Sequence, residues 1–166
     1  MMKHILSPHS TTTLTNTQPE DSQPNAVDLR LGKVFKIYNY VFEISNDHKK
    51  HRGSEEIQPY ADGYYYLEPG DYEVVMENII HVGEGEAGWV ITRSTLNRNG
   101  CFLTSGLYDT GYNGVMAAVL HVSVGLAKIK QGTRIGQYIS FQAENIGSYD
   151  GDYGIGKQHD KKYGAE

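Results

Sequence analysis

The sequence lacks the features that mark several large classes of protein. Cys101 is the only cysteine among the 166 residues, which excludes an intrachain disulfide framework and a cysteine-paired zinc site. No apolar run approaches the length of a membrane span, and Met1–Pro8 is too short and too polar for a signal peptide. The formal net charge of −5 does not suit a protein that coats nucleic acid. We therefore expect a cytoplasmic protein of one domain, with no nucleic-acid or membrane partner.

Glycine and tyrosine are both abundant, at 19 and 13 residues, which favours tight turns and strands over long helices. Short, nearly alternating apolar segments predict many strands and an all-β barrel or double-sheet fold. One short helix is predicted at Ser94–Arg98, with Ser94 or Thr95 capping its start. The predicted strands are Val34–Tyr38, Tyr40–Ile44, Tyr64–Leu67, Tyr72–Met76, Gly88–Thr92, Val115–Val124, Lys128–Lys130 and Ile135–Phe141.

Composition divides the chain into three parts. Residues 1–22 are rich in Ser, Thr, Gln and Pro, and we expect an N-terminal extension or a poorly ordered arm. Residues 23–147 form the predicted β domain, which includes a charged loop at residues 48–56. Residues 148–166 are rich in Gly, Tyr and charge, which predicts a C-terminal tail that is either disordered or a lid ordering on a ligand.

Two segments carry residues suited to phosphate chemistry. Arg93 and Arg98 lie in a stretch otherwise free of charge, beside the hydroxyl of Ser94, and guanidinium forks suit the oxygens of a triphosphate. The competing interpretation is a capped helix with two solvated arginines. Asp109 lies between Gly106 and Gly111, where a rigid turn would fix a carboxylate that orients water; the competing interpretation is an ordinary turn aspartate.

Four segments, taken in order, resemble the motifs of the dCTP deaminase and dUTPase superfamily. They are Gln23–Gly32, Arg93–Gly100 (Arg-Ser-Thr-Leu-Asn-Arg-Asn-Gly), Gly106–Gly114 (Gly-Leu-Tyr-Asp-Thr-Gly-Tyr-Asn-Gly) and Gly132–Gln137 (Gly-Thr-Arg-Ile-Gly-Gln). The match extends over residues 23–141. The resemblance implies a distorted jelly-roll and a homotrimer with active sites built at the subunit interfaces.

The resemblance also implies roles for individual residues. Asp109 would activate the water and contact the deoxyribose 3′-hydroxyl, and Tyr112 would pack beneath the sugar and fill its 2′ space. Asp28 would be structural or lie in the environment of hydrated Mg²⁺, which arrives mainly on the substrate phosphates, so no protein metal site is predicted. The other predicted substrate-binding residues are Arg93, Ser94, Thr95, Arg98, Thr104, Ser105, Gly106 and Gln137.

The choice between deamination and hydrolysis depends on a single position. Deaminases of the superfamily carry a proton-moving glutamate five residues beyond the last glycine of the third motif, where this sequence has Val119. His121 takes that role only if two residues are inserted, and Gly106 stands where monofunctional deaminases have histidine. We therefore predict a dUTP diphosphatase that forms dUMP and pyrophosphate. The alternatives are a dCTP deaminase, alone or bifunctional, and an inactive nucleotide-binding regulatory trimer.

The tail departs from the superfamily pattern, which often closes the site with a glycine-rich segment containing arginine and phenylalanine. Tyr149–Lys157 has glycines and aromatic residues but neither that phenylalanine nor the phosphate-loop consensus. Tyr153 is a candidate for stacking on the base and Lys157 for reaching phosphate, and a disordered polar tail is the competing interpretation.

Overall fold

The computed structural model describes residues 10–144 and 146–164 and shows a mostly β fold with one short α-helix. The prediction of an all-β, jelly-roll-like fold is confirmed. Within the described residues, no helix combines the length and apolarity needed to cross a membrane. The elements are β1 (Thr13–Leu14), β2 (Val27–Ile37), β3 (Glu43–Ile44), β4 (Lys49–Lys50), β5 (Ser54–Ile57), β6 (Tyr64–Leu67), β7 (Gly70–His81), β8 (Glu86–Thr92), α1 (Ser94–Asn97), β9 (Cys101–Thr104), β10 (Asn113–Val122), β11 (Ala127–Lys130) and β12 (Arg134–Gln142), with 3₁₀ turns at Pro19–Asp21 and His159–Tyr163.

The main sheet runs in the order β8, β12, β2, β7, β10 and β9, with β5 added to β2 and β1 added to β7. All of its strand pairs are antiparallel, and β2 changes register against β7 between Leu31 and Lys33. Gly32 lies at that irregularity, where a side chain would come within 2.8 Å of the Val75 carbonyl oxygen. Two small sheets, β6 with β11 and β3 with β4, lie outside the main sheet.

The two ends of the main sheet, β8 and β9, meet and almost close it into a barrel. The backbone N–H of Leu103 donates to Thr92 Oγ1 over 2.8 Å, and that of Val90 donates to Ser105 Oγ over 2.9 Å. Past β9 the chain continues along β8, because Gly88 and Tyr108 exchange both backbone hydrogen bonds. The closure pairs strand edges that would otherwise be exposed, and it holds residues 105–108 beside the strand that leads into α1.

The core lies between the facing walls of the sheet. Alternate residues of the central strands point inward, and Leu29, Leu31, Met116 and Leu120 are fully buried. Because side chains alternate between the two faces of a strand, the same strands present a second set of residues outward. Of the predicted site residues, only Thr104 and Gln137 lie on strands, and the others lie on α1, at its ends or in loops.

The expectation of a poorly ordered arm over residues 1–22 is wrong for residues 10–22. β1 pairs with the end of β7, and Leu14 is buried in the core. Ser10 Oγ and the backbone N–H groups of Thr11 and Thr12 donate to the buried carboxylate of Glu86. These long-range contacts hold a segment whose composition offers little to bury, and residues 1–9 lie outside the described residues.

Two further local predictions need correction. Tyr40–Ile44 forms no full strand: only Glu43–Ile44 pairs, with Lys49–Lys50 of the predicted loop, and Tyr40, Val41 and Ile44 remain exposed. Alternating apolar residues predicted a strand here, but this segment reaches no edge of the main sheet. The predicted cap of the helix is also wrong, because Arg93 is the N-cap residue of α1 and makes no side-chain capping bond.

The C-terminal tail packs against the outer face of the sheet. The backbone N–H of Tyr149 donates to the Thr110 carbonyl over 2.8 Å, and that of Ile155 donates to the Asn113 carbonyl over 2.9 Å. Tyr163 is buried in a small apolar cluster with Phe35 and Val75. Of the two predictions for residues 148–166, the disordered tail is therefore wrong for residues 148–164.

Candidate functional site

Strand pairing brings three of the four motifs together at one place. Gln137 of β12 lies between Asp28 of β2 and Ile91 of β8 in the register of the sheet. The strand β8 ends at Thr92, and the backbone N–H of Arg93 donates to the Ile135 carbonyl over 3.0 Å. The first, second and fourth motifs therefore meet because β12 pairs with both of its neighbours.

Asp28, Arg93, Arg134 and Gln137 form a group that we call the ionic cluster. Asp28 is fully buried, and Gln137 Nε2 donates to its Oδ1 over 2.9 Å. Arg134 Nη1 donates to Oδ2 over 3.3 Å, and Arg93 Nε forms an ion pair with the same oxygen at 3.5 Å. A buried carboxylate is costly unless it is paired, so these donors are held firmly in place.

The remaining residues of the second motif are open to solvent. Ser94, Thr95 and Arg98 are exposed on α1, which is a single turn of four residues. The Arg98 N–H donates to the Ser94 carbonyl over 3.0 Å, which closes that turn. Arg93 belongs to the ionic cluster and directly precedes α1, so the cluster and the exposed side chains of α1 lie next to each other. An anion bound there would meet several donors.

A tight turn anchored at two points presents Asp109. The Tyr112 N–H donates to the Asp109 carbonyl over 3.0 Å, and Gly111 supplies the positive φ of 78° that the third turn position requires. Thr110 Oγ1 donates to the Gly83 carbonyl over 2.8 Å. The Asp109 side chain is exposed, so the turn holds the carboxylate in a defined place while leaving it open to water.

Tyr108, Tyr112, Tyr138 and Tyr149 form a second group, the tyrosine cluster. Their rings make edge-to-face contacts with centroid separations of 5.2–6.1 Å. Tyr112 is buried, and its hydroxyl donates to the Val115 carbonyl over 2.7 Å. Burial, followed by neighbouring charges, raises the pKa of Tyr108 and of Tyr112 far above the ordinary range, so both phenols stay neutral.

A cavity of about 490 Å³ opens beside the tyrosine cluster. Gly106, Tyr108 and Tyr112 line it on the sheet side, and Tyr153 and the buried Asp160 line it on the tail side. The Gly154 N–H donates to Asp160 Oδ2 over 2.7 Å. Nothing in the tail pattern indicated Asp160, because an aspartate in a polar, glycine-rich segment carries no burial signal.

A neighbouring cavity of about 550 Å³ shares Gly106 with the first and is lined by Thr104, Ser105 and Val119. Ser105 Oγ already accepts from Val90, and Thr104 Oγ1 lies 3.1 Å from His121 Nε2. His121 Nδ1 in turn lies 2.6 Å from Asp71 Oδ1. His121 follows Val119 on the same face of β10, and these two partners on the neighbouring strands β9 and β7 hold its ring.

The structure does not bring all the predicted residues into one place. Among the described residues, no hydrogen bond or ion pair joins the ionic cluster or α1 to Asp109 or Tyr112. Arg134 was overlooked as a functional candidate, although it is the arginine of the fourth motif; its partnership with Asp28 depends on strand register, which the motif alone does not reveal.

The donor sets argue against a metal held by protein groups in the ionic cluster. Within the described ranges, no three His, Cys, Asp or Glu side chains are grouped in a way that could hold a metal ion. The oxygens of Asp28 face nitrogen donors from arginine and glutamine, whereas a hard divalent cation needs free oxygen ligands.

Comparison with known proteins adds independent findings. The sequence matches a family model described as dCTP deaminase-like over residues 3–143. It is 32% identical over 135 residues to a probable deoxyuridine 5′-triphosphate nucleotidohydrolase of Aeropyrum pernix, covering 79% of this chain and 83% of the relative. It is also 32% identical over 141 residues to the deoxyuridine 5′-triphosphate nucleotidohydrolase of Methanocaldococcus jannaschii, covering 83% and 90%.

Solved structures share the fold at lower identity. The 2′-deoxycytidine 5′-triphosphate deaminase of Agrobacterium tumefaciens has a TM-score of 0.58 at 16% identity, covering 76% of this chain and 43% of that one. A mutant dUTPase of Staphylococcus bacteriophage 80alpha, with dUpNHpp, has a TM-score of 0.52 at 12% identity, covering 86% and 97%. At such identities the likeness establishes the fold alone.

Proposed function

The chain belongs to the dCTP deaminase-like family, and on that premise we propose that it hydrolyses dUTP to dUMP and pyrophosphate. The observation that carries the proposal is Asp109, an exposed carboxylate on an anchored turn whose flanking residues Tyr108 and Tyr112 line the cavity. The curated relatives with about a third of their residues identical are named deoxyuridine 5′-triphosphate nucleotidohydrolases.

In the proposed mechanism, Asp109 orients a water molecule for in-line attack on the phosphoanhydride between the α and β phosphates. Charge that develops on the phosphate oxygens is stabilised by guanidinium and hydroxyl donors, which strengthen their contacts as the reaction proceeds. Arg93, Ser94, Thr95, Arg98 and Gln137 supply those donors. Mg²⁺ carried by the substrate triphosphate would add positive charge at the phosphates, and no residue of the chain is assigned to hold it.

The nucleoside part of dUTP occupies the cavity lined by Gly106 and Tyr112, with Thr104 and Ser105 at its border. Asp109 also contacts the sugar 3′-hydroxyl, which joins recognition to catalysis at one turn. The ring of Tyr149 contacts Tyr112, and Tyr153 and Asp160 line the cavity. These observations support a second role for residues 148–164, as a lid over the bound nucleotide.

A homotrimer with shared sites would explain why no hydrogen bond or ion pair joins the phosphate donors to Asp109 among the described residues of one chain. In this arrangement the ionic cluster and α1 of one copy face the turn of another, so each site takes residues from different chains. Mixing inactive Asp109→Asn chains with inactive Arg98→Ala chains should then restore part of the activity. A fully active monomer in light scattering would contradict the shared site.

The competing function is deamination of dCTP. Val119 occupies the position of the deaminase glutamate and lies opposite Glu73 of β7 in the sheet register, so one carboxylate does stand nearby. Glu73 is already hydrogen-bonded to Tyr163 and ion-paired with Lys162. A nucleotide-binding trimer without activity would keep the ionic cluster but not turn over dUTP.

One assay separates these functions. The full chain is incubated with MgCl₂ and either dUTP or dCTP, and products are identified by chromatography. We expect dUMP and pyrophosphate from dUTP and no uracil nucleotide from dCTP. Formation of dUTP or dUMP from dCTP would establish the deaminase, and binding of dUTP without products would establish the inactive trimer.

A further inference from the structure

Asp28 is a fully buried carboxylate whose surroundings consist of nitrogen donors. Besides Gln137, Arg134 and Arg93, Gln23 Nε2 also donates to it, over 3.1 Å. Both carboxylate oxygens are therefore engaged by residues that approach from the end of β8, from β12 and from the segment before β2.

Among the described residues, the engagement leaves one nitrogen of Arg93 and one amide N–H of Gln137 able to donate to a ligand. Arg93 directs Nε to Asp28 and donates from Nη1 to the Arg134 carbonyl over 3.2 Å, which fixes the plane of its guanidinium. Among the residues that the structure describes, Nη2 of Arg93 has no partner, and 32% of the side chain is exposed. Gln137 uses one N–H of its amide on Asp28 and keeps the other.

We propose that Asp28 is a positioning residue that fixes the phosphate-facing donors of Arg93 and Gln137 before substrate binds. The inference rests on the proposed function, since it concerns the same anion site. Donors that are held in place before binding lose less conformational entropy when an anion arrives, so their contacts contribute more to affinity. Asp28 acts through these neighbours and does not touch the substrate or a metal ion.

Simple electrostatics and positioning predict opposite signs when the charge of Asp28 is removed. Loss of a negative charge next to a phosphate site strengthens the binding of an anion through Coulomb attraction alone. Loss of the anchor weakens it, because the side-chain amide of an Asp28→Asn variant places an N–H₂ group against donors that need an acceptor. The direction of the change in anion affinity therefore identifies which effect dominates.

Asp21→Asn is a matched control. Asp21 is also fully buried, and it pairs with Arg30 through contacts of 2.7 and 3.0 Å, but it touches neither Arg93 nor Gln137. Both variants remove one buried negative charge that an arginine partners. Comparable losses of thermal stability are expected, and only the Asp28 variant should change the anion site.

The test measures binding of pyrophosphate, of a non-hydrolysable α,β-imido dUTP and of deoxyuridine to the full chain by calorimetry. Asp28→Asn should weaken both phosphate ligands by roughly 10–100-fold, the scale for a lost charge-assisted anchor. In Asp28→Asn the affinity for deoxyuridine should change by less than about 3-fold. In Asp21→Asn the affinities for all three ligands should stay within about 3-fold of the parent values, because neither measurement involves the anchored donors. Where dUTP is turned over, KM should rise more than kcat falls.

Several results would overturn the inference. These are tighter or unchanged phosphate binding in Asp28→Asn, equal losses in Asp21→Asn, or a parent chain that binds none of the phosphate ligands. A change of more than about 10-fold in the Mg²⁺ concentration for half-maximal activity would place Asp28 beside the metal instead. A parent chain that binds α,β-imido dUTP but does not hydrolyse dUTP would refute the proposed function alone, because the binding comparison still decides the role of Asp28.

A measurement on the unchanged protein covers the case in which Asp28→Asn does not fold. In ¹⁵N–¹H spectra of the arginine side chains, assigned with Arg93→Lys, the Nε–H of Arg93 should exchange slowly with water before any ligand is added. Addition of pyrophosphate should shift the Nη signals and leave the Nε signal in place. An Nε–H that becomes protected only after pyrophosphate is added would show that the substrate, and not Asp28, orders the guanidinium.

Discussion

The ionic cluster and the tyrosine cluster hold their residues in place by different physical means. In the ionic cluster, a buried carboxylate sets the positions of cationic and amide donors that come from paired strands. In the tyrosine cluster, ring packing and hydroxyl-to-carbonyl bonds hold neutral side chains, and part of the packing comes from the tail. The first suits an anion with fixed geometry, and the second suits the uncharged sugar and base.

The two regions should therefore respond differently to substitution. Change in the ionic cluster alters charge and the orientation of donors, with little change in packed volume. Change in the tyrosine cluster opens a cavity in the core and also disturbs the tail. Asp109 lies on the turn that precedes Tyr112, so the tyrosine cluster helps to fix the position of its carboxylate. Neither cluster buries that carboxylate, which is exposed to solvent.

The largest effect is expected at Asp109. Asp109→Asn should lower kcat for dUTP by ~10²–10⁴-fold, the usual scale for a lost general base. The melting temperature and the affinity for α,β-imido dUTP should stay near those of the parent, because the side chain is exposed and no hydrogen bond or ion pair joins it to another residue that the structure describes. Asp150→Asn is the control, since Asp150 is a carboxylate lining the same surface depression as Asp109. A parent-like rate in Asp109→Asn would reduce Asp109 to a turn residue.

Tyr112→Ala should show the next largest effect, on both stability and sugar selectivity. Removal of this buried ring should lower the free energy of unfolding by about 3–5 kcal/mol, the range for large aromatic-to-alanine changes in a core. If Tyr112 also fills the 2′ space, kcat/KM for dUTP should fall while the relative rate on UTP rises. Apolar packing alone rejects an added hydroxyl by only ~10²-fold, so a gate of this kind is needed.

Tyr138→Ala separates packing from selectivity. Tyr138 belongs to the tyrosine cluster and is fully buried, but the cavity lining does not include it. Its loss should cost comparable stability and leave the ratio of UTP to dUTP activity unchanged. Equal ratios in the Tyr112 and Tyr138 variants would assign Tyr112 to packing alone.

The smallest effect is expected from pH, and it should distinguish Asp21, whose pKa Arg134 of the ionic cluster helps to lower, from the phenols of the tyrosine cluster. Burial alone raises the pKa of Asp21, but hydrogen bonds from Arg30 and the Gln18 backbone and the nearby arginines outweigh it, so the pKa lies below its ordinary 3.8. Its contribution to stability is present above that ordinary value and is lost as pH falls through the lowered pKa. The phenols of Tyr108 and Tyr112 have pKa values raised from the ordinary 10.0, so their contribution is present below that pH and is lost only at strongly alkaline pH.

Unfolding midpoints measured across pH test this difference. Asp21→Asn should flatten the acid limb of the stability profile, and Tyr112→Phe should flatten the alkaline limb, each without altering the other. An acid limb that is unchanged in Asp21→Asn would mean that other carboxylates, such as the hydrogen-bonded Glu86, dominate acid unfolding.

Much of the fold could be predicted from sequence because it depends on local patterns. Alternating apolar residues predicted the strands that became β8 and β10, and the turn chemistry of Gly106–Gly114 predicted a fixed position for Asp109. The failures have two causes. Residues 10–22 and the tail are placed by contacts with distant residues, and local composition carries no record of a distant partner. Tyr40–Ile44 has the composition of a strand, but only Glu43–Ile44 finds a partner, the nearby Lys49–Lys50.

The sequence by itself determined the all-β class, the family motifs and the chemical types of the site residues, because each depends on residue identity at short spacing. Only the tertiary structure decided that Asp28 lies buried between Gln137 and two arginines, since that follows from the register of β12 against β2. The same holds for Asp160, which reaches the cavity only through the packing of the tail. Strand register and long-range packing depend on the free energy of the whole folded chain, and this is why the sequence motifs named the site residues without giving their partners.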